Sequence, residues 1–275
     1  METINEKLGA IKTEKDKTGL FKTWYEQIEN ECQQKPVSFV CDGIMYKRDK
    51  DELTTDKEWN ESPKRVAFLL KDQNQKGYAW VDDTRKWIVC TDDNWNVKSK
   101  FLRNLANALW GISVSSPKNL PESDSVRQYY NEITECFRTT PFALVECKKQ
   151  GGVSMLSNKA LRIYLDKEEY KKLLYMEFDI LNANIYVCTN SLIYQFVQNY
   201  LTTYKYPGTQ MTRVNSVSKE GKLESSVTLH LPSKTVVLCS FHPSAIMSYK
   251  TYYEGVVTHY QAFVQSEYYP HFFEK

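Results

Sequence analysis

Leu20, Trp24 and Ile28, with Phe21 and Tyr25 beside them, recur at the spacing of one helical face and predict an amphipathic helix that ends before Pro36. Residues 37–40 read as a short strand. The next segment, 47–64 (KRDKDELTTDKEWNESPK), has too little apolar content to be core. The main domain is therefore placed after it, giving a helical extension and linker over 1–62 and an α/β domain over 63–275. From Val66 the pattern alternates. Strands are expected at 66–70, 142–145, 185–188 and 235–240. Between them, helical spacing marks 101–112 (Phe101, Leu105, Leu109, Ile112), 126–137, a long stretch over 161–178, and 192–201, with a last helix over 253–264. Near-continuous apolar strands separated by helices imply a parallel sheet covered on both faces. The expected fold class is α/β, a three-layer sandwich with a central, mainly parallel four-stranded sheet and helices on both faces. Residues 204–222, with Pro207 next to Gly208, are expected to hold an irregular loop or a hairpin before the last strand.

Composition changes this picture little. The 275 residues are 41% hydrophobic and 25% charged, which excludes a disordered or fibrous chain. A net charge of +2 neither demands nor excludes a polyanionic partner. The seven cysteines occur singly, with no C-x-x-C pair or Cys/His cluster, so no metal site is expected. Several lie in apolar strands, where a free thiol behaves as a small buried hydrophobe in a reducing compartment, which points to a cytoplasmic protein. No stretch approaches the roughly 18 apolar residues of a membrane span.

Candidate chemistry gathers at strand ends. The strand at 66–70 releases Lys71, Asp72, Gln73, Asn74 and Gln75 into a polar turn, and the strand at 235–240 releases His242, Pro243, Ser244 and Ala245. In open parallel sheets, ligands bind outside the carboxyl ends of the strands. Lys148 and Lys149 with Gly151 and Gly152 form a basic, glycine-containing turn that suits a phosphate, or else a solvated turn. Thr189, Asn190 and Ser191 precede an apolar helix, where they either present a helix amino terminus to an anion or simply cap the helix. In 204–222, Lys205, Arg213, Lys219 and Lys222 against Glu220 leave a balance of +3, with Tyr204 and Tyr206 interleaved, a composition suited to a nucleic-acid strand. Ser154 in Gly152, Val153, Ser154 is similar to a hydrolase nucleophile elbow but lacks the second glycine.

The two strand-end motifs carry a resemblance to the uracil-DNA glycosylase superfamily. The segment from Leu69 to Gln75 resembles the family's Gly-Gln-Asp-Pro-Tyr-His motif and keeps its aspartate at Asp72, while His242, Pro243 and Ser244 are similar to its His-Pro-Ser loop. Leu70 stands where the family has glycine and Gln73 where it has proline. The base-reading asparagine is replaced by Ala143 or by Glu146, depending on register. The resemblance implies a DNA glycosylase that cleaves the N-glycosidic bond of a flipped, damaged or deaminated base, uracil or a relative, with no cofactor. Asp72 and His242 are the implied catalytic pair. Lys71, Gln73, Asn74 and Glu146 are expected at the base, and Lys148, Lys149, Ser191 and Ser244 at the nucleic acid. The expected partner is DNA, bound by a monomer, with neither membrane nor metal. Two alternatives stay open: a nucleic-acid-binding protein that kept the fold and lost the reaction, and an α/β hydrolase of small molecules that uses Ser154.

Overall fold

The structure, a computed structural model, describes residues 17–33, 38–47, 50–73, 81–86, 99–152, 156–217 and 223–273. In chain order these form helix α1 (Lys17–Glu31), strands β1 (Phe39–Cys41) and β2 (Gly43–Ile44), helix α2 (Glu52–Glu61), strands β3 (Val66–Asp72) and β4 (Val81–Asp83), helices α3 (Lys100–Val114) and α4 (Tyr130–Thr139), and strand β5 (Phe142–Lys148). Helices α5 (Asn158–Asp166) and α6 (Glu168–Leu181), strand β6 (Ile185–Cys188) and helix α7 (Ser191–Asn199) follow. Strands β7 (Thr212–Val217), β8 (Leu223–His230) and β9 (Thr235–Cys239) precede the short helices α8 (Tyr249–Tyr253), α9 (His259–Val264) and α10 (Tyr269–Phe273).

The class is α/β, but the sheet differs from the expected one. Seven strands run in the order β2-β5-β3-β6-β9-β8-β7, and a separate parallel pair joins β1 to β4. The large sheet is mixed: β6 pairs β9 in parallel, whereas β2–β5, β8–β9 and β7–β8 are antiparallel. The four apolar strands read from the sequence, β3, β5, β6 and β9, sit side by side in it. The additional strands escaped because β2 spans two residues and because β7 (TRVNSV) and β8 (LESSVTLH) are half polar. A strand of that kind lacks the continuous apolar run used to find the others. Of the two options for 204–222, a hairpin is the one formed, with β7 at its start.

The chain divides into two compact units. The first gathers the residues up to Ser62 with Leu69–Cys90 and Ala143–Asn182; the second comprises Pro63–Phe68, Thr91–Phe142 and Ala183–Lys275. In the first unit the apolar face of α1 is buried as its spacing requires, with Phe21, Trp24 and Tyr25 set edge-on around Phe39 at centroid distances of 6.0, 6.5 and 5.9 Å. Residues 47–64, expected outside the core, supply it with α2. Trp59 is buried and its indole N–H donates to the carbonyl of Leu181 at 2.8 Å. One tryptophan in a charged helix is enough to dock it, since a buried aromatic ring removes on the order of 150–250 Å² from water. The single helix expected over 161–178 is two. Lys167 is extended (φ −66°, ψ 121°) between α5 and α6, and Glu168 and Glu169 favour a new helix start through the backbone dipole.

In the second unit, α3 is buried along most of its length. Its carboxyl end is closed by Lys64, whose ammonium donates to the carbonyls of Ile112, Ser113 and Ser115 at 2.9, 3.0 and 2.8 Å. Gly111 lets the helix approach its neighbour: a β-carbon there would lie 2.7 Å from Val257 Cγ2 and 2.8 Å from the Tyr253 hydroxyl. Gly111→Ala is therefore expected to lower stability by about 1–3 kcal/mol through overpacking, despite alanine's better helix propensity. A urea titration showing equal or higher stability would contradict this close contact. No helix of the described residues is long and apolar enough to cross a membrane.

Candidate functional site

Asp72 is the last residue of β3, and its carboxylate lies beside the turn that follows β5. The Gly152 N–H donates to the Gln73 carbonyl at 3.0 Å, which brings that turn so close that a β-carbon on Gly152 would sit 2.2 Å from Asp72 Oδ2. Only a glycine accommodates the carboxylate as it stands. The side chain is 7% exposed, Oδ2 accepts no hydrogen bond, and Lys148 Nζ stands 3.8 Å away. Burial raises the Asp72 pKa above the ordinary value, and the charges of Lys148 and Lys71 pull it back only in part. Burial likewise lowers the Lys148 pKa, against the pull of Asp72 and Glu146.

Glu146 precedes Lys148 by two positions in β5, so both point to the same face of the strand. Ala143, the other candidate for the base-reading position, points to the opposite face. The Glu146 backbone N–H donates to Asp42 Oδ2 at 2.6 Å, while its own carboxyl is buried and Oε2 has no hydrogen-bond partner. Burial, reinforced by the negative charges of Asp42 and Asp72, pushes this carboxyl well above the ordinary range, so it holds a proton in the folded protein. Above the usual carboxyl pKa, the folded state thus retains a proton that the unfolded chain has lost. Stability contributed by Glu146 falls as pH rises through that window, by about 1.4 kcal/mol per pH unit for a full proton. Glu146→Gln is expected to flatten this decline, and an unchanged pH profile of thermal unfolding would contradict it.

Lys149 was expected at a phosphate, and the structure corrects that. It is entirely buried, with Nζ 2.5 Å from Asp42 Oδ1 and 2.7 Å from Glu177 Oε2 and the rings of Trp24 and Phe21 nearby at 5.2 and 5.6 Å. Burial alone would depress the ammonium, but Asp42 and Glu177 outweigh it and hold Lys149 above its ordinary pKa. The same burial, with the Asp42 charge, raises the Glu177 pKa to about 8 against the pull of Lys149. Strand alternation accounts for the parting of Lys148 from Lys149: neighbours leave β5 on opposite sides. For the same reason Lys71 turns from Asp72 and donates to Asn158 Oδ1 at 3.1 Å. Gln73 is buried. Asn74 and Ser154 lie outside the described residues.

In the second unit, β9 ends at Cys239 and delivers the loop that carries His242. The Ser244 N–H donates to His242 Nδ1 at 3.1 Å, so in the neutral ring the hydrogen resides on Nε2. Asn104, a fully buried side chain of α3, donates to the Pro243 carbonyl at 2.7 Å, and Phe101 lies against the imidazole at a centroid distance of 5.9 Å. Helix α3 thereby fixes the loop. Ser244 is exposed. Ser191 is exposed at the start of α7, whose cap is Asn190, its Oδ1 accepting from the Leu192 N–H at 2.8 Å. Capping accounts for the polar residues there.

Asp42, Glu177 and Asn104 were not singled out from the sequence, and Gly152 was singled out only as part of a basic turn. Asn104 alone left a trace, as a polar residue on the apolar stripe of a predicted helix. Among the described residues no cluster of three or more His, Cys, Asp or Glu is arranged to hold a metal ion. No protein-family model matches the chain, and no curated protein is significantly similar to it.

Proposed function

We propose that this protein is a DNA glycosylase-like hydrolase that releases a damaged or deaminated base, uracil or a relative, flipped out of DNA. The observation that carries this reading is the hydrogen bond from the Ser244 N–H to His242 Nδ1, which in the neutral imidazole puts the donor on Nε2 at a strand end. Glycosidic cleavage places negative charge on the departing base and positive charge on the sugar. A neutral N–H donor stabilises the first, and the Asp72 carboxylate stabilises the second and orients the attacking water. Glu146 reads the base in its protonated form. A carboxylic acid offers one O–H donor and one carbonyl acceptor, the same pair that an amide presents to the mixed edge of uracil. Lys148 and Ser244 contact the nucleic-acid backbone in this reading.

The test is incubation of the full chain with oligonucleotides containing uracil, xanthine or hypoxanthine, followed by detection of abasic product. Base release from at least one is expected, reduced at least about 100-fold by His242→Ala, in line with the loss of a transition-state donor. Absence of product from all three, together with absence of DNA binding, overturns the proposal. Salt-dependent DNA binding unaffected by Asp72→Asn and His242→Ala, with no product, would assign the chain to nucleic-acid binding alone.

A further inference from the structure

A cavity of about 110 Å³ opens in the second unit between α3, the turn of 3₁₀-helix at Val126–Tyr129, α4 and the first residue of α8. Its wall is apolar at Val126 and Ile133, and Arg103, Arg127 and Tyr249 line it as well. Both arginines are exposed, and the Arg127 guanidinium lies over the Tyr249 ring, 4.9 Å from its centroid. Neither arginine is held by an acidic side chain among the described residues, and no Asp or Glu lines the cavity. Asn107, a buried residue of α3, also lines it.

We propose that this cavity binds an organic phosphate built on a single planar ring, a nucleotide unit. The room is on the scale of one ring, since an apolar cavity of roughly 150 Å³ accepts benzene. Val126 and Ile133 supply the dry face, and the Asn107 amide offers a donor and an acceptor to a ring edge. Two guanidiniums free of carboxylates form the matching feature for a phosphate, which takes the planar fork of arginine through paired hydrogen bonds. A simple apolar ligand would leave both cations and the amide unused.

The phosphate belongs either to a free mononucleotide or to a nucleic-acid strand, and the two sources share this chemistry. The site stands apart from the proposed base-release reaction, and its evidence involves neither Asp72 nor His242. Helix α3 nevertheless links it to the His242 loop, because Asn104 holds the Pro243 carbonyl one turn before Asn107.

Calorimetric titration of the full chain with uridine 5′-monophosphate, inorganic phosphate and a short 5′-phosphorylated oligonucleotide tests the proposal. The mononucleotide or the oligonucleotide is expected to bind at least about tenfold more tightly than inorganic phosphate, the factor that about 1.4 kcal/mol of ring contact gives. Arg127→Gln and Arg103→Gln, both surface changes, should each weaken that binding at least about tenfold, and Asn107→Leu should remove the preference over inorganic phosphate. Equal affinity for mononucleotide and oligonucleotide assigns a free nucleotide; binding of the oligonucleotide alone assigns a strand. Failure of both to bind, or binding that the arginine variants leave unchanged, overturns the proposal. Asp72→Asn and His242→Ala should bind the mononucleotide as the parent does, which separates this result from that of the base-release assay.

Discussion

Lys149→Ala is expected to cost about 3–5 kcal/mol of folding stability, the usual consequence of deleting one partner from a buried ion pair. The lysine is wholly enclosed and holds Asp42 and Glu177 together at 2.5 and 2.7 Å. Its removal leaves two buried carboxyl groups without a counter-ion in a medium where desolvation of a carboxylate is expensive. Asp42 also accepts the Glu146 N–H, so the loss extends into β5. Glu177→Gln should be far milder, because burial and the Asp42 charge already favour the protonated carboxyl. Equilibrium unfolding in urea of the two variants decides the matter. A loss below about 1 kcal/mol for Lys149→Ala, or equal losses for both, would refute this account of the cluster.

Asp72→Asn is expected to suppress base release at least about 100-fold while leaving the melting temperature equal to or above that of the parent. The two effects have one origin. Burial against the turn at Gly152 raises the Asp72 pKa, so the ionised form is held in the folded protein at a cost that the Lys148 charge offsets only in part. A neutral amide of the same shape removes that cost and the reactive charge together. An aspartate serving mainly as the partner of Lys148 would behave in the opposite way, and a fall in melting temperature on Asp72→Asn would identify it as such. Gly152→Ala gives an independent check. Its β-carbon must displace the carboxylate, so activity should fall with the Asp72 charge intact. The raised pKa also moves the acid limb of activity upward in pH from where an ordinary aspartate would place it.

Much of the architecture was legible because apolar spacing is a local property. The face of α1 and the runs 66–70, 142–145, 185–188 and 235–240 identified α1, β3, β5, β6 and β9 in advance. Helix α2 was illegible because two of its buried side chains, Thr55 and Asp56, are polar and leave Trp59 without an apolar stripe, and the α5–α6 break was illegible because neither glycine nor proline marks it. The polar strands β7 and β8 carry no uninterrupted apolar signal, and the expectation of a mainly parallel, four-stranded sheet failed with them. Asp72 and His242 could be placed in the sequence near the carboxyl ends of two strands. Their surroundings could not, since these are built from Gly152, Lys148, Ser244 and Asn104, each brought in by the folded chain.

The sequence by itself determined the α/β class, the positions of the apolar strands and the strand-end locations of Asp72 and His242, because hydrophobic period and turn chemistry act between near neighbours. Tertiary structure alone decided the fate of each charge. Of two adjacent lysines, Lys148 borders Asp72 and Lys149 is enclosed by Asp42 and Glu177, residues separated from it by 107 and 28 positions along the chain. The energy of a charge is set by the dielectric and the partners around it, and those are assembled from segments that no local pattern connects.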